Sequence, residues 1–417
     1  MQITRRGVLL GAVAAACATV LARFGPAEAS SADGPAGLLE VSTGWTSGPE
    51  QNGLQALLAG LKGRAPDVTF VSGDTSDPRG VDLAARLAAG PPPDSLRCSG
   101  GAELAELADR LEPLDGMFRS RGWSAGLPGS LLARLRVGSS LYAVPAGVRR
   151  TNLLWSDARL LAAAGASPAP PRPGLLVAEL QRVAAAGLRT PLAVGGPAEV
   201  LHLLETLLLA AHGPDAFAAL WRPGGPWRDA ATDSALRLLD TLLDLAVPPA
   251  PDADWTDAAH RFGSGQAAYL LTGDWVEGWL RDSLGLRPGV DYRWAAAPGT
   301  GEVFQSRVDV FVLPRGARHR PAALAWLDVC ASLDGQVALN GARAAVPART
   351  DLPEPTRALF GPYARWSLDE WRGRRPLDSL THGGLLGARR RAAALGAATA
   401  FTGHRDSARL ARELALA

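Results

Sequence analysis

At 417 residues, with 47% apolar and 20% charged side chains, the chain has globular composition and enough length for two domains. Its 43 basic and 41 acidic residues nearly cancel, which excludes the strong one-sign field that holds nucleic acid or an anionic membrane surface. Lys62 is the only lysine, so an arginine here reflects a general bias of the chain before it reflects chemistry.

Residues 1–29 read as an export signal. Thr4-Arg5-Arg6 precedes the apolar run Val8 to Leu21, and Ala27-Glu28-Ala29 has the small-x-small form of a cleavage site, so the mature chain is expected to start at Ser30. The paired arginines resemble a twin-arginine signal, which points to a periplasmic or extracellular protein. Val8 to Leu21 is shorter than the roughly 20 residues that span a bilayer, and no later stretch reads as long enough. Cys17 follows Ala14-Ala15-Ala16, a poor version of a lipidation site, so a lipid anchor is not expected. Cys98 and Cys330 remain in the mature chain. Two buried thiols are expected, with a bridge between them left open.

The mature chain opens on alternating signals. The apolar run Leu38 to Val41 reads as a strand, Leu54 to Leu61 as a helix with leucines at helical spacing, and Val68 to Val71 as a strand. Helix Val81 to Ala89, strand Ser95 to Cys98 and helix Ala102 to Leu111 continue the rhythm, which argues for a mostly parallel sheet covered by helices. Leu141 to Pro145 and Asn152 to Trp155 read as two short strands, with Pro145-Ala146-Gly147 as a crossing point where a second lobe begins. Leu160 to Leu245 is helical in pattern, interrupted at Ser167 to Pro173 and Gly224 to Pro226. Val308 to Leu313 reads as a strand, Pro321 to Ser332 as a helix, and the tail after Pro353 as helical.

Catalytic motifs are missing. Neither Gly129-Ser130 nor Gly263-Ser264-Gly265 completes a nucleophile elbow, and no exported-enzyme chemistry is expected beyond Glu50 with Asp309 as the single carboxylate pair to nominate. The six histidines lack metal-site spacing, and Asp74, Asp77 and Asp82 do not match a calcium loop, so neither a metal nor a cofactor is expected. Gly299-Thr300-Gly301 lacks the third glycine of a dinucleotide site. Twelve tryptophans against four tyrosines are the unusual feature. Trp45 lies near Glu50 and Trp275 follows Asp274, a pairing of flat rings with acceptors that suits the faces and hydroxyl edges of a sugar.

At these residues the sequence resembles the glucose/mannose-type, family 1 extracellular solute-binding proteins of ABC sugar importers. The resemblance rests on Trp45 to Glu50, Pro92-Pro93-Asp94, Val144-Pro145, Arg150-Thr151-Asn152, His212 to Asp215, Gly273-Asp274-Trp275, Pro298-Gly299-Thr300, Val346 to Asp351 and Ser379 to Gly383, in shared order. It implies an α/β, two-lobed periplasmic-binding-protein fold of the maltose-binding type, with the ligand in a cleft between lobes. Lobe 1 is then 30–145 plus about 304–345, and lobe 2 is 146–303 plus about 346–417. The implied protein is a monomer without enzymatic activity that captures a carbohydrate and passes it to an ABC permease.

Carried over by position, the resemblance assigns ligand contacts to Trp45, Glu50, Asp309 and His382, with Arg343 standing in for a family lysine and Trp275 as a further ring. This chain departs from the family at Arg97, Ser99 and Arg149, where relatives carry Gln, His and His, and it lacks a tryptophan near Gly196-Pro197. Such losses remove about 2–6 kcal/mol of the roughly 8 that micromolar binding needs. Two alternatives follow: Arg97 and Arg149 bind an acidic sugar, or the module is degenerate or sensory.

Overall fold

The computed structural model describes residues 36–73, 83–88, 90–222 and 224–417. The export segment, Cys17, Asp74, Asp77 and Asp82 lie outside them. The strands are β1 (Gly37–Ser42), β2 (Val68–Gly73), β3 (Ser95–Ser99), β4 (Arg136–Val137), β5 (Ser140–Leu141) and β6 (Ala143–Arg150). After them come β7 (Leu153–Asp157), β8 (Leu192–Ala193), β9 (Tyr269–Leu271), β10 (Tyr292–Ala296), β11 (Val303–Val312) and β12 (Arg375–Asp378).

The first sheet runs β12-β11-β3-β1-β2, with β6 on the other side of β11. β1 pairs in parallel with β2 and β3, as the alternating signals predict, because each crossover is a helix that covers the sheet. Helix Gly48–Arg64 is one of these. Pro49 occupies its first turn, where a missing N–H costs nothing, and Leu54, Leu57 and Leu61 are buried. Full burial of a leucine side chain contributes about 1.5–3 kcal/mol, so this row fixes the helix on the sheet. β11 enters late in the chain and runs antiparallel to both β3 and β6, its Val308 to Val312 stretch buried throughout. A smaller sheet, β10-β7-β9-β8, carries the second, helix-rich half.

Three expectations need correction. Pro145 to Gly147 is not the crossing point: β6 continues through it to Arg150. The register against β11 shifts between Asp309 and Val310, so a bulge absorbs Ala146 beside the proline that suggested a break. The chain instead passes between sheets at Thr151-Asn152. There Asn152 Oδ1 accepts from Arg150 Nε and the Gln305 amide, while Nδ2 donates to Thr300 and Val303. Second, the tail holds a strand as well as helices. β12 pairs in parallel with β11, and its four residues, Arg-Pro-Leu-Asp, are too few to show alternation. Third, Pro197–Leu220 is by length and composition apolar enough to cross a membrane. In the fold it is a core helix, bent at Gly213, which adopts φ 71° ahead of Pro214, and packed on helices Ala230–Asp244 and Ala388–His404.

Two apolar cores result. One lies under the first sheet around Phe311 and Trp326, and the other surrounds helix Pro197–Leu220. Cys98 and Cys330 are free, buried thiols.

Candidate functional site

The strand period of two places Arg307, Asp309 and Phe311 of β11 on one face. Directly across on β6 is Arg149, opposite Arg307, and across on β3 are Ser99, opposite Asp309, and Arg97, opposite Phe311. Helix Gly48–Arg64 adds Glu50 from its first turn, and helix Leu333–Arg343 adds Arg343 from its last. Gly147 permits this approach, since a Cβ there would collide with Asn340 Oδ1 and Arg343 Nη2. Asp274, just beyond β9, closes the group from the second sheet.

These charges satisfy one another. Asp309 Oδ1 accepts from Arg97 Nη1 at 3.0 Å, and Oδ2 lies 2.8 Å from Arg343 Nη1. Glu50 accepts from Arg149 Nη2, and from Arg343 Nη1 at 3.1 Å. Arg149 Nη1 reaches Asp274 Oδ1 at 3.3 Å and the Arg343 carbonyl at 2.9 Å. Burial raises the Asp309 pKa, but Arg343, Arg97 and Arg149 outweigh it and hold the carboxyl below its usual range. At Asp274 burial wins, pushing the pKa up to about 7 against the pull of Arg149 and the Arg150 amide.

Arg97 and Arg149, expected as free cations for an anionic ligand, are thus engaged by the chain's own carboxylates. Trp45 is only 5% exposed. The Arg343 guanidinium lies 4.7 Å and that of Arg97 5.5 Å from its ring, so its stacking partners are guanidiniums. Ser99 donates its amide to Glu103 Oε2 at 2.7 Å. Glu50 keeps part of its side chain, 31%, open to solvent.

A second group stands apart from this floor. The Trp275 and His382 rings are 4.4 Å apart, and His382 Nε2 is 3.2 Å from His202 Nδ1. His382 sits on the loop after β12, which Glu205 anchors. That buried carboxylate accepts from Gln305 Nε2 at 2.8 Å, the Leu380 amide at 2.5 Å, the Thr381 amide at 3.1 Å and Ser379 Oγ at 3.2 Å. Sequence reasoning paired Asp274 with Trp275 but missed His202, Glu205 and Arg307. A signal for the first two existed: they sit three apart in an otherwise apolar helical run, hence on one helix face.

Burial lowers the pKa of His202 to about 4, and burial, His202 and Arg391 put His382 well below the ordinary histidine value. The unfolded chain therefore binds more protons than the folded one between pH 6.5 and 4, and this contribution to stability is lost as pH falls through that window. From His202 alone the loss is on the order of 3 kcal/mol. Asp274 and Glu199, both pushed up to about 7 by burial, run the other way, their stabilising contribution fading as pH rises toward 7. The expected outcome is that urea midpoints of wild type and a His202→Gln, His382→Asn double variant converge as pH drops from 7 to 4. A pH-independent difference would contradict neutral burial of the pair.

The chain is thus an α/β body built on two main sheets, with the charged group on the first and Asp274 reaching it from the second. Over residues 45–337 the chain matches the family described as bacterial extracellular solute-binding protein, and it belongs to that family. It is 26% identical over 324 residues to an uncharacterized ABC transporter extracellular-binding protein of Pyrococcus horikoshii, covering 76% of this chain and 72% of that one. It is likewise 26% identical over 356 residues to a probable sugar-binding periplasmic protein of Brucella melitensis, covering 83% of each. In fold it is similar to a bacterial solute receptor with exclusive preference for β-D-galactopyranose, with a TM-score of 0.79, 16% identity, and coverage of 90% of this chain and 96% of the other. A maltose-bound T. maritima protein gives a TM-score of 0.74 at 17% identity, covering 91% and 98%. The fold is thus the two-lobed, maltose-binding-protein-like one, and the family is one of binding proteins, not enzymes.

Proposed function

We propose that the protein is exported through a cleaved twin-arginine signal, captures a sugar between its lobes as a monomer, and delivers it to an ABC permease. The observation that carries this reading is the bridge Glu50–Arg149–Asp274, which links the helix on the first sheet, a crossing strand and the second sheet beside the Trp275–His382 pair. The probable sugar-binding relative, the galactopyranose-preferring receptor and the maltose-bound protein support the ligand class. The lobes are taken from the sequence as 30–145 plus about 304–345 and 146–303 plus about 346–417, with the first boundary moved to Thr151-Asn152, where the chain leaves the first sheet. In this reading Trp275 and His382 contact the sugar, Glu50 accepts from a hydroxyl, and Asp309, Arg343, Arg97, Arg149 and Trp45 hold Glu50 and the floor in place, with Ser99 beside them. The motifs in the sequence resemble the glucose/mannose type. Ligand at 100 times its dissociation constant adds about 2.7 kcal/mol to stability, so a mono- or oligosaccharide panel should raise the melting midpoint of residues 30–417 for at least one member. No shift across neutral, acidic and oligomeric sugars would overturn the reading.

A further inference from the structure

Four guanidiniums converge on the floor of the cleft and three carboxylates meet them. Arg97, Arg149 and Arg343 are each hydrogen-bonded to one or more of Glu50, Asp274 and Asp309. Arg307 is the remainder. Its Nε lies 3.4 Å from Asp309 Oδ1, yet it is buried without a hydrogen bond, and its two η nitrogens make none among the described residues. Both oxygens of Asp309 are already engaged, by Arg97 and by Arg343. The floor therefore carries one positive charge in excess, on a side chain that keeps only 27% exposure.

An arginine in open solvent needs no protein partner, because water satisfies its donors. Arg307 Nε is closed off from solvent against Asp309 Oδ1 at 3.4 Å, while its part-exposed η nitrogens have no acceptor among the described residues. The acceptors of the chain nearby are spent, so the missing partner has to bring both acceptor oxygens and negative charge.

We propose that Arg307 is the ligand-contacting cation of the cleft and that it takes the carboxylate of an acidic sugar, a uronate. This rests on the sugar-binding reading above and assigns to Arg307 the part that Arg97 and Arg149 cannot play while paired. The planar fork of a guanidinium matches a carboxylate through two parallel N–H···O bonds, whereas a neutral hydroxyl leaves the charge uncompensated. The raised pKa of Asp274 acts in the same sense, since its protonation below about pH 7 makes the floor more positive.

Calorimetric titration of residues 30–417 with glucuronate and galacturonate, each against its parent glucose or galactose, tests this. At least one uronate should bind about 10-fold or more tightly than its parent, a difference of about 1.4 kcal/mol. In Arg307→Gln that ratio should fall to near unity, and Arg307→Lys should retain part of it. Far-ultraviolet circular dichroism checks that the variants fold. A uronate preference unchanged in Arg307→Gln, or neutral sugars binding wild type as tightly as uronates, overturns the assignment while the sugar-binding reading stands. Silence from every carbohydrate overturns both.

Discussion

Asp309→Asn is expected to lower stability by about 3–5 kcal/mol, read as the urea midpoint, together with loss of ligand binding. The side chain is nearly isosteric, so packing is not the cause. One carboxylate holds the buried Arg343 at 2.8 Å and Arg97 at 3.0 Å, with Arg307 at 3.4 Å. A neutral amide leaves these cations facing one another in a low-dielectric floor, and removing one partner of a buried ion pair costs on that scale. The contrast is the exposed Arg409–Glu413 pair at 2.7 Å, where Glu413→Gln should leave the midpoint unchanged. If both variants behave alike, the floor is solvated and the charge balance drawn for it fails.

Glu205→Gln should be comparably damaging, by about 3 kcal/mol or more. The carboxylate accepts four hydrogen bonds, two on each oxygen, while glutamine offers one oxygen and turns an NH₂ toward two donors. Burial raises the Glu205 pKa, and the hydrogen bonds from Leu380, Thr381 and Ser379 offset only part of it. Because the same loop carries His382, hydrogen exchange at Leu380 and Thr381 should accelerate, and sugar affinity should fall with it. Normal protection of those amides in a destabilised variant would show that Glu205 acts elsewhere.

Legibility in the sequence followed length and periodicity. β1, β2 and β3 were readable as short apolar runs between helices, and helix Gly48–Arg64 as leucines at helical spacing. β12 was not, because four residues with a proline carry no period, and the continuity of β6 was masked by Pro145. The resemblance named Glu50 and Asp309, but no local pattern could reveal that arginines would answer them. Arg97 meets Asp309 across 212 positions and Arg343 meets Glu50 across 293, so only the assembled sheet brings them together. His202 and Glu205 left only their spacing of three in a mostly apolar helical run as a signal.

The late arrival of β11 also has a bearing on how the molecule is made. The strand fills the gap between β3 and β6, so during synthesis both of those edges wait unpaired until it emerges. Ser99 and Val312 are separated by about 213 positions, roughly 10–40 s of translation at about 5–20 residues per second. The first half of the chain therefore waits for closure until late in synthesis, and that interval is when a nascent chain would profit most from a chaperone at its open sheet edge.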